Sequence, residues 1–196
     1  MVAIIDYDTG NLRSVCNALE RIGAEYVLTD DPSVISRADR VLLPGVGEAS
    51  TAMQKLQERG LCEVIRGLNM PVLGICIGMQ LMCRHSEEGD VDCLGIFDAS
   101  VTKFVADPQK GVKVPHMGWN AISGLRTGLF EGLSDGDFVY CVHSYAASVC
   151  DDTIAVSDNG RMFSAAICKD NFYGVQFHPE KSGDVGEKIL KNFMSL

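Results

Sequence analysis

The chain has 196 residues, 46% hydrophobic and 22% charged, which is the balance of one folded domain over 1–196 and excludes a disordered segment. A chain of this length buries about 70% of its unfolded surface on folding. Lys and Arg number 17 against 26 Asp and Glu, a net charge of −9, and the resulting field repels phosphate backbones and anionic headgroups, excluding nucleic acid and membrane surfaces as natural partners.

Short apolar runs alternate with helical spacing through the first half, the pattern of an α/β protein with a mostly parallel sheet. Val2–Asp6 reads as a strand. From Asn11 onward, Leu12, Val15, Cys16, Leu19 and Ile22 fall at helical spacing up to Gly23. Tyr26–Leu28 is the next strand, and Asp31-Pro32 reads as a cap and first-turn proline opening a short helix. The strand Arg40–Leu43 is broken by Pro44-Gly45-Val46-Gly47, and a helix follows around Ala49–Arg59. Val72–Ile75 is so uniformly apolar that it is expected as a central strand buried on both sides. After Gly95 the texture changes to short strands: Ala99–Phe104, Asn120–Ile122, Phe138–Val142, Thr153–Val156, Phe163–Cys168 and Tyr173–Phe177. A last amphipathic helix carries Val185, Ile189, Leu190 and Phe193 on one side. The expected fold is an open mixed sheet, mostly parallel, with flanking helices and an added antiparallel β layer.

The chain opens on Met1 and runs directly into its first strand, with neither a basic lead-in nor a signal-length apolar stretch. The uncharged run from Gly67 to Cys83 contains Asn69, Pro71, Gln80 and glycines unsuited to a lipid-facing helix. Eight cysteines, at 16, 62, 76, 83, 93, 141, 150 and 168, form no CxxC pair, and the four histidines are scattered. Free thiols in a reducing cytoplasm are therefore expected, with no metal and no cofactor.

Gly74-Ile75-Cys76-Ile77-Gly78 is the sharpest local signal. It reads as the thiol form of a nucleophile elbow, a strand end entering a helix through a crowded turn that lifts the cysteine onto the helix N-terminus. There the peptide dipoles favour thiolate, and the Ile77 N–H is placed to stabilise an oxyanion. Taken alone, a glycine-flanked buried cysteine serves structure equally well, so partners are required. Gln176-Phe177-His178-Pro179-Glu180 supplies them: in an extended segment His178 and Glu180 share a face, so that Glu180 can orient the imidazole that serves Cys76. Gly45-Val46-Gly47, at another strand end, reads either as an ordinary tight turn or as the source of a second oxyanion donor. Trp119 is assigned to core or interface, and Lys110 and Lys113 to a solvated edge.

Val72-Leu73-Gly74-Ile75-Cys76-Ile77-Gly78-Met79-Gln80, together with Phe177-His178-Pro179-Glu180, resembles the class I (triad) glutamine amidotransferases. Five further segments narrow the resemblance: Asp8-Thr9-Gly10-Asn11-Leu12, Leu43-Pro44-Gly45-Val46-Gly47, Pro115-His116-Met117-Gly118-Trp119-Asn120, Val142-His143-Ser144-Tyr145 and His178-Pro179-Glu180-Lys181-Ser182. They are similar to the branch of that family formed by the glutaminase subunits of imidazole glycerol phosphate synthases, in histidine biosynthesis. The resemblance runs nearly end to end, and Pro115–Asn120 is its most specific segment.

The resemblance implies a flavodoxin-like core and the hydrolysis of L-glutamine to glutamate and ammonia. It also implies a heterodimer in which ammonia is channelled to a cyclase subunit with a (β/α)8 barrel fold. Cys76, His178 and Glu180 match the catalytic triad. Val46 and Gly47 match the oxyanion loop, with Ile77 beside them. Gln80, Glu88, His143, Ser144 and Tyr145 match substrate-binding positions, and Pro115, His116, Met117 and Trp119 match the partner interface. Cys141, where the family pattern has Phe, departs from it, as does Tyr7-Asp8. Two further readings accommodate the same residues: a paralogous amidotransferase supplying ammonia for sugar amidination, and a non-catalytic regulatory module of the same fold. A free-standing cysteine protease is disfavoured because neither an extended peptide groove nor a precursor segment is suggested.

Overall fold

The computed structural model describes residues 1–8 and 12–196. Thr9-Gly10-Asn11, part of the opening motif and of the expected helix start, lies outside the described residues.

Strand β1 (Val2–Ile5) is buried along its whole length and leads to helix α1 (Arg13–Arg21), which turns Val15, Cys16, Ala18 and Leu19 into the core. Gly23, at φ 72°, reverses the chain into β2 (Tyr26–Thr29). Helix α2 (Pro32–Ile35) starts as its sequence predicts: Ser33 N–H donates to Asp31 Oδ1 at 2.8 Å and Pro32 occupies the first turn. Strand β3 (Arg40–Gly45) runs past Leu43, correcting the expected break at Pro44. Its pairing with β1 ends at Leu42, so the proline ring sits beyond the ladder that would have needed its N–H.

Helix α3 (Ala49–Glu58) is followed by a second helix, α4 (Leu61–Arg66), beyond the elements that the sequence predicts; Gly60 at φ 67° separates the two. Strand β4 (Val72–Cys76) enters α5 (Ile77–Met82) with no intervening residue. The two-residue strands β5 (His85–Ser86) and β6 (Val91–Asp92) precede β7 (Ser100–Lys103), β8 (His116–Ala121), β9 (Phe138–His143), β10 (Tyr145–Ala147), β11 (Thr153–Asp158), β12 (Met162–Lys169) and β13 (Phe172–Val175). Helix α6 (Gly183–Phe193) closes the chain, burying Ile189, Leu190 and Phe193, with Val185 only half-buried.

Among the described residues the main sheet has seven strands in the order β11-β12-β13-β4-β3-β1-β2. Strands β2, β1, β3, β4 and β13 are parallel, and β12 and β11 extend that sheet antiparallel. The second layer is a four-stranded sheet, β10-β7-β5-β6, beside the hairpin pair β8-β9. This is the open mixed sheet with added β layer that the sequence predicts. Strand β4 is flanked by parallel neighbours on both edges, and each of Val72, Leu73 and Ile75 contributes roughly 1.5–3 kcal/mol by leaving water. Helix α5 packs against β3, β4 and β13, which carries the residues at the C-terminal end of β4 to the rim of the sheet.

Candidate active site

Cys76 ends β4 at φ 54°, ψ −109°, a region that residues with a β-carbon rarely occupy and that costs on the order of 1–3 kcal/mol. Its neighbours hold it there by leaving no space. A β-carbon on Gly78 would overlap the Leu43 carbonyl, and one on Gly45 would stand 2.9 Å from the Gly78 nitrogen, the Ile77 β-carbon and the Tyr7 hydroxyl. Only glycine lets β3, β4 and α5 meet this closely. Ile77 opens α5, so its N–H has no acceptor within the helix. The helix has six residues, so local N–H groups rather than a long aligned dipole supply the effect.

Cys76, Ile77, Gln80, Glu88, Val46, Gly47, Pro115, Met117, Val142, His143, Ser144, Tyr145 and His178 line one cavity of about 240 Å³. That is below the roughly 300–1,000 Å³ of pockets for drug-sized ligands and suits an amino acid. His178 lies within hydrogen-bonding reach of Cys76, and its Nδ1 is 2.8 Å from Glu180 Oε1, both side chains being almost fully buried. The expected extended segment is corrected here. Strand β13 stops at Val175, and Pro179–Lys181 forms a single 3-10 turn that folds the carboxylate back under the ring. Ser182 Oγ donates to the His178 carbonyl at 2.7 Å and accepts from the Tyr140 N–H at 2.9 Å, pinning this turn to β9.

Burial alone lowers the affinity of His178 for a proton, but its hydrogen bonds to Cys76 and Glu180 and their negative charges outweigh it, moving its pKa up to about 10. The ring is therefore held as an imidazolium between sulfur and carboxylate near neutral pH. Glu88 accepts from the Ala49 N–H at 3.0 Å, at the start of α3, and burial raises its pKa above the usual carboxylate range.

Tyr145 sets the polarity of the cavity wall. Its carbonyl accepts from Gln80 Nε2 at 3.0 Å and from His143 Nδ1 at 2.8 Å. His143 therefore presents Nε2 as an acceptor to His116 Nδ1 at 3.1 Å, and His116 Nε2 in turn accepts from Asn120 Nδ2 at 3.1 Å. Both rings are neutral: burial moves the pKa of His143 down to about 3 and lowers that of His116. Donor atoms of His116, Cys141 and His143 lie within 4.8 Å of one another, the kind of buried group that can ligate a metal. Here all four ring nitrogens are already committed to hydrogen bonds, and burial pushes the Cys141 thiol up to about 12.

Of the residues expected at a partner surface, Met117 and Trp119 are 65% and 56% exposed and Pro115 is exposed. His116 faces inward and is 8% exposed, because alternate residues of β8 point to opposite sides. Gln176, wholly buried with its Nε2 3.7 Å from Cys76 Sγ, lies outside the site residues that the sequence predicts. An amide between Val175 and Phe177 at a strand end is the signal that marks it.

A family model described as glutamine amidotransferase class-I matches residues 3–196. The chain is 57% identical over 196 residues to imidazole glycerol phosphate synthase subunit HisH of Bacteroides thetaiotaomicron, covering 100% of this chain and 99% of that protein. It is 47% identical over 197 residues to the HisH subunit of Yersinia pseudotuberculosis, again covering 100% and 99%. Among solved structures, a glutamine amidotransferase superposes with a TM-score of 0.73 at 17% identity over 100% of this chain and 98% of that one, a likeness of fold.

Proposed function

The chain belongs to the class-I glutamine amidotransferase family, and on that premise we propose that it is the glutaminase subunit of an imidazole glycerol phosphate synthase. In this role it hydrolyses L-glutamine to L-glutamate and ammonia, and the ammonia passes to a separate cyclase subunit, a (β/α)8 barrel. The cyclase uses it to make imidazole glycerol phosphate and aminoimidazole carboxamide ribotide in histidine biosynthesis, in the cytoplasm. No helix of the described residues is long and apolar enough to cross a membrane. The observation that carries this reading is the meeting of Cys76 and His178, from segments a hundred residues apart, at one amino-acid-sized cavity, with Glu180 bonded to the far side of the imidazole.

Cys76 attacks the side-chain amide carbon of glutamine as a thiolate, and the C=O electron pair moves onto oxygen. The Ile77 N–H and the Val46-Gly47 turn stabilise that oxyanion. Collapse of the tetrahedral intermediate breaks the C–N bond as His178 delivers its proton to the departing nitrogen, leaving a thioester and neutral ammonia. Water, losing a proton to His178, then adds to the thioester. Collapse releases the side chain as a carboxylic acid, which loses its proton to solvent as glutamate, and returns the sulfur as thiolate beside the imidazolium. Glu180 holds the ring in orientation through both steps. Gln80 and Glu88 bind the amino-acid end. The Gln80 Oε1 is buried and has no partner among the described residues. His143, Ser144 and Tyr145 lie along the substrate.

Pro115 and Met117 line the cavity and continue outward to exposed Trp119. A partner seated there shields ammonia from bulk water, which would protonate and dilute it. Identities of 47–57% along the whole chain favour the histidine-pathway role over sugar amidination, and the retained triad favours an enzyme over a regulatory module.

The test is glutamine hydrolysis by the chain alone and with a cyclase and its nucleotide ligand. Slow turnover alone and acceleration in the complex are expected, because the Val46-Gly47 turn is exposed. Cys76→Ser is expected to reduce glutamine-dependent synthesis by at least about a thousandfold while sparing ammonia-dependent synthesis. Equal loss of both would refute the division of labour.

A further inference from the structure

Behind the cavity, two buried side-chain amides form a chain that ends at the sulfur, and one backbone atom fixes its direction. The Tyr145 carbonyl can only accept, so the atom of Gln80 lying 3.0 Å from it is Nε2. The same Nε2 lies 3.0 Å from Gln176, which must therefore present Oε1. Gln176 is left with its Nε2 toward Cys76 Sγ, at 3.7 Å. Gln80 is 1% exposed and Gln176 is wholly buried. Reversing either amide would set like groups against each other in a buried setting, where such a mismatch is costly. The N–H beside the sulfur is thus a fixed donor.

We propose that Gln176 is a positioning residue for Cys76, its amide N–H donating to the sulfur and favouring the thiolate oriented for attack. This rests on the reading of Cys76 as the nucleophile. A thiolate is a far stronger acceptor than a thiol, so a donor that cannot turn away stabilises the charged form selectively. The Val142 carbonyl, 3.9 Å from Sγ, acts in the opposite sense, since it accepts only from the protonated thiol. Gln176 opposes that bias. It acts again when the thioester breaks down, because the sulfur then leaves as a thiolate. No covalent step passes through the amide.

The experiment substitutes Gln176→Glu, which keeps shape and places an acceptor beside the sulfur, and Gln176→Met, which keeps length and removes the donor. Each is measured in the full chain assembled with its cyclase. Cys76 alkylation by iodoacetamide is followed against pH by peptide mass spectrometry, which separates it from the other cysteines. A charge-assisted hydrogen bond of ordinary strength predicts a loss of about 10–100-fold in kcat/KM, carried mainly by kcat, with the alkylation midpoint moved to higher pH.

A packing role alone would lower the melting temperature and leave that midpoint where it was. A wild-type alkylation midpoint in either folded variant overturns the proposal. If neither variant folds, a midpoint in the unmodified protein at or above the ordinary thiol value of about 8.5 overturns it. Cys76→Ser separates the two claims. If it still hydrolyses glutamine, the nucleophile reading fails; if it is inactive and the Gln176 variants alkylate normally, only the role of Gln176 fails.

Discussion

Gly78 and Leu43 stand so close that a side-chain carbon on the glycine would occupy the position of the leucine carbonyl oxygen. The contact joins the first turn of α5 to β3 at the base of the reactive turn, and both sides of it are held by backbone. Gly78→Ala therefore has no flexible neighbour to displace. It is expected to destabilise the fold by more than the about 1–3 kcal/mol of ordinary overpacking. Chemical denaturation against the unmodified chain checks this, and an unchanged midpoint would mean that the strand can shift aside.

The histidine pair behind the cavity predicts an acid-sensitive fold. The folded-state pKa of His143 is lowered to about 3 from 6.5, so between those values the unfolded chain binds a proton that the folded chain does not. Stability therefore falls as pH drops through that window, with a slope of up to about 1.4 kcal/mol per pH unit for this group. His143→Asn keeps an N–H near the Tyr145 carbonyl and removes the titrating ring. Urea unfolding at a series of pH values between 6 and 4 is expected to show a shallower slope in the variant. Parallel slopes would assign the acid sensitivity elsewhere.

His178 has the opposite sign. Its folded pKa is raised to about 10, so its contribution is fully present below about 6.5 and is lost as pH rises toward 10. Glu180→Gln removes the carboxylate charge that supports the imidazolium, and the stability gap between variant and parent is expected to narrow across that alkaline window. A gap that stays constant would show that the pair does not hold the proton.

Trp119 meets Tyr140 edge-on, with ring centroids 5.9 Å apart, yet remains 56% exposed. Trp119→Ala is expected to change the stability of the isolated chain by no more than about 0.5 kcal/mol. Binding to the cyclase is expected to weaken by about 2 kcal/mol or more, the signature of an aromatic anchor. Calorimetric titration of the two subunits decides, and undiminished affinity would move the docking surface off β8.

The alternating first half of the fold and the turn at Cys76 were legible in the sequence because their causes are local: apolar period, cap chemistry and glycines flanking one cysteine. Helix α4 is six residues long and follows Gly60, too short for a periodic signature beside α3. Strands β5 and β6, of two residues each, carry no pattern at all. Pro44 reads as a break because the missing N–H matters only if a neighbour needs it, and that depends on where β1 stops. The spacing of His178 and Glu180 predicts their meeting through an extended segment, whereas a 3-10 turn brings them together. The inward face of His116 and the bond from Gln176 to sulfur depend on how distant strands register, which no single stretch of residues encodes.

Strand β3 keeps its register with β4 up to the pair Gly45–Cys76, and the chain leaves the sheet immediately afterward. The pivot of the Val46-Gly47 segment thus coincides with the anchor point of the sulfur. Rotation of those peptide planes has almost no lever arm on the attacking atom. Under the proposed mechanism, the turn would be free to reorient its N–H groups while the sulfur stays in register.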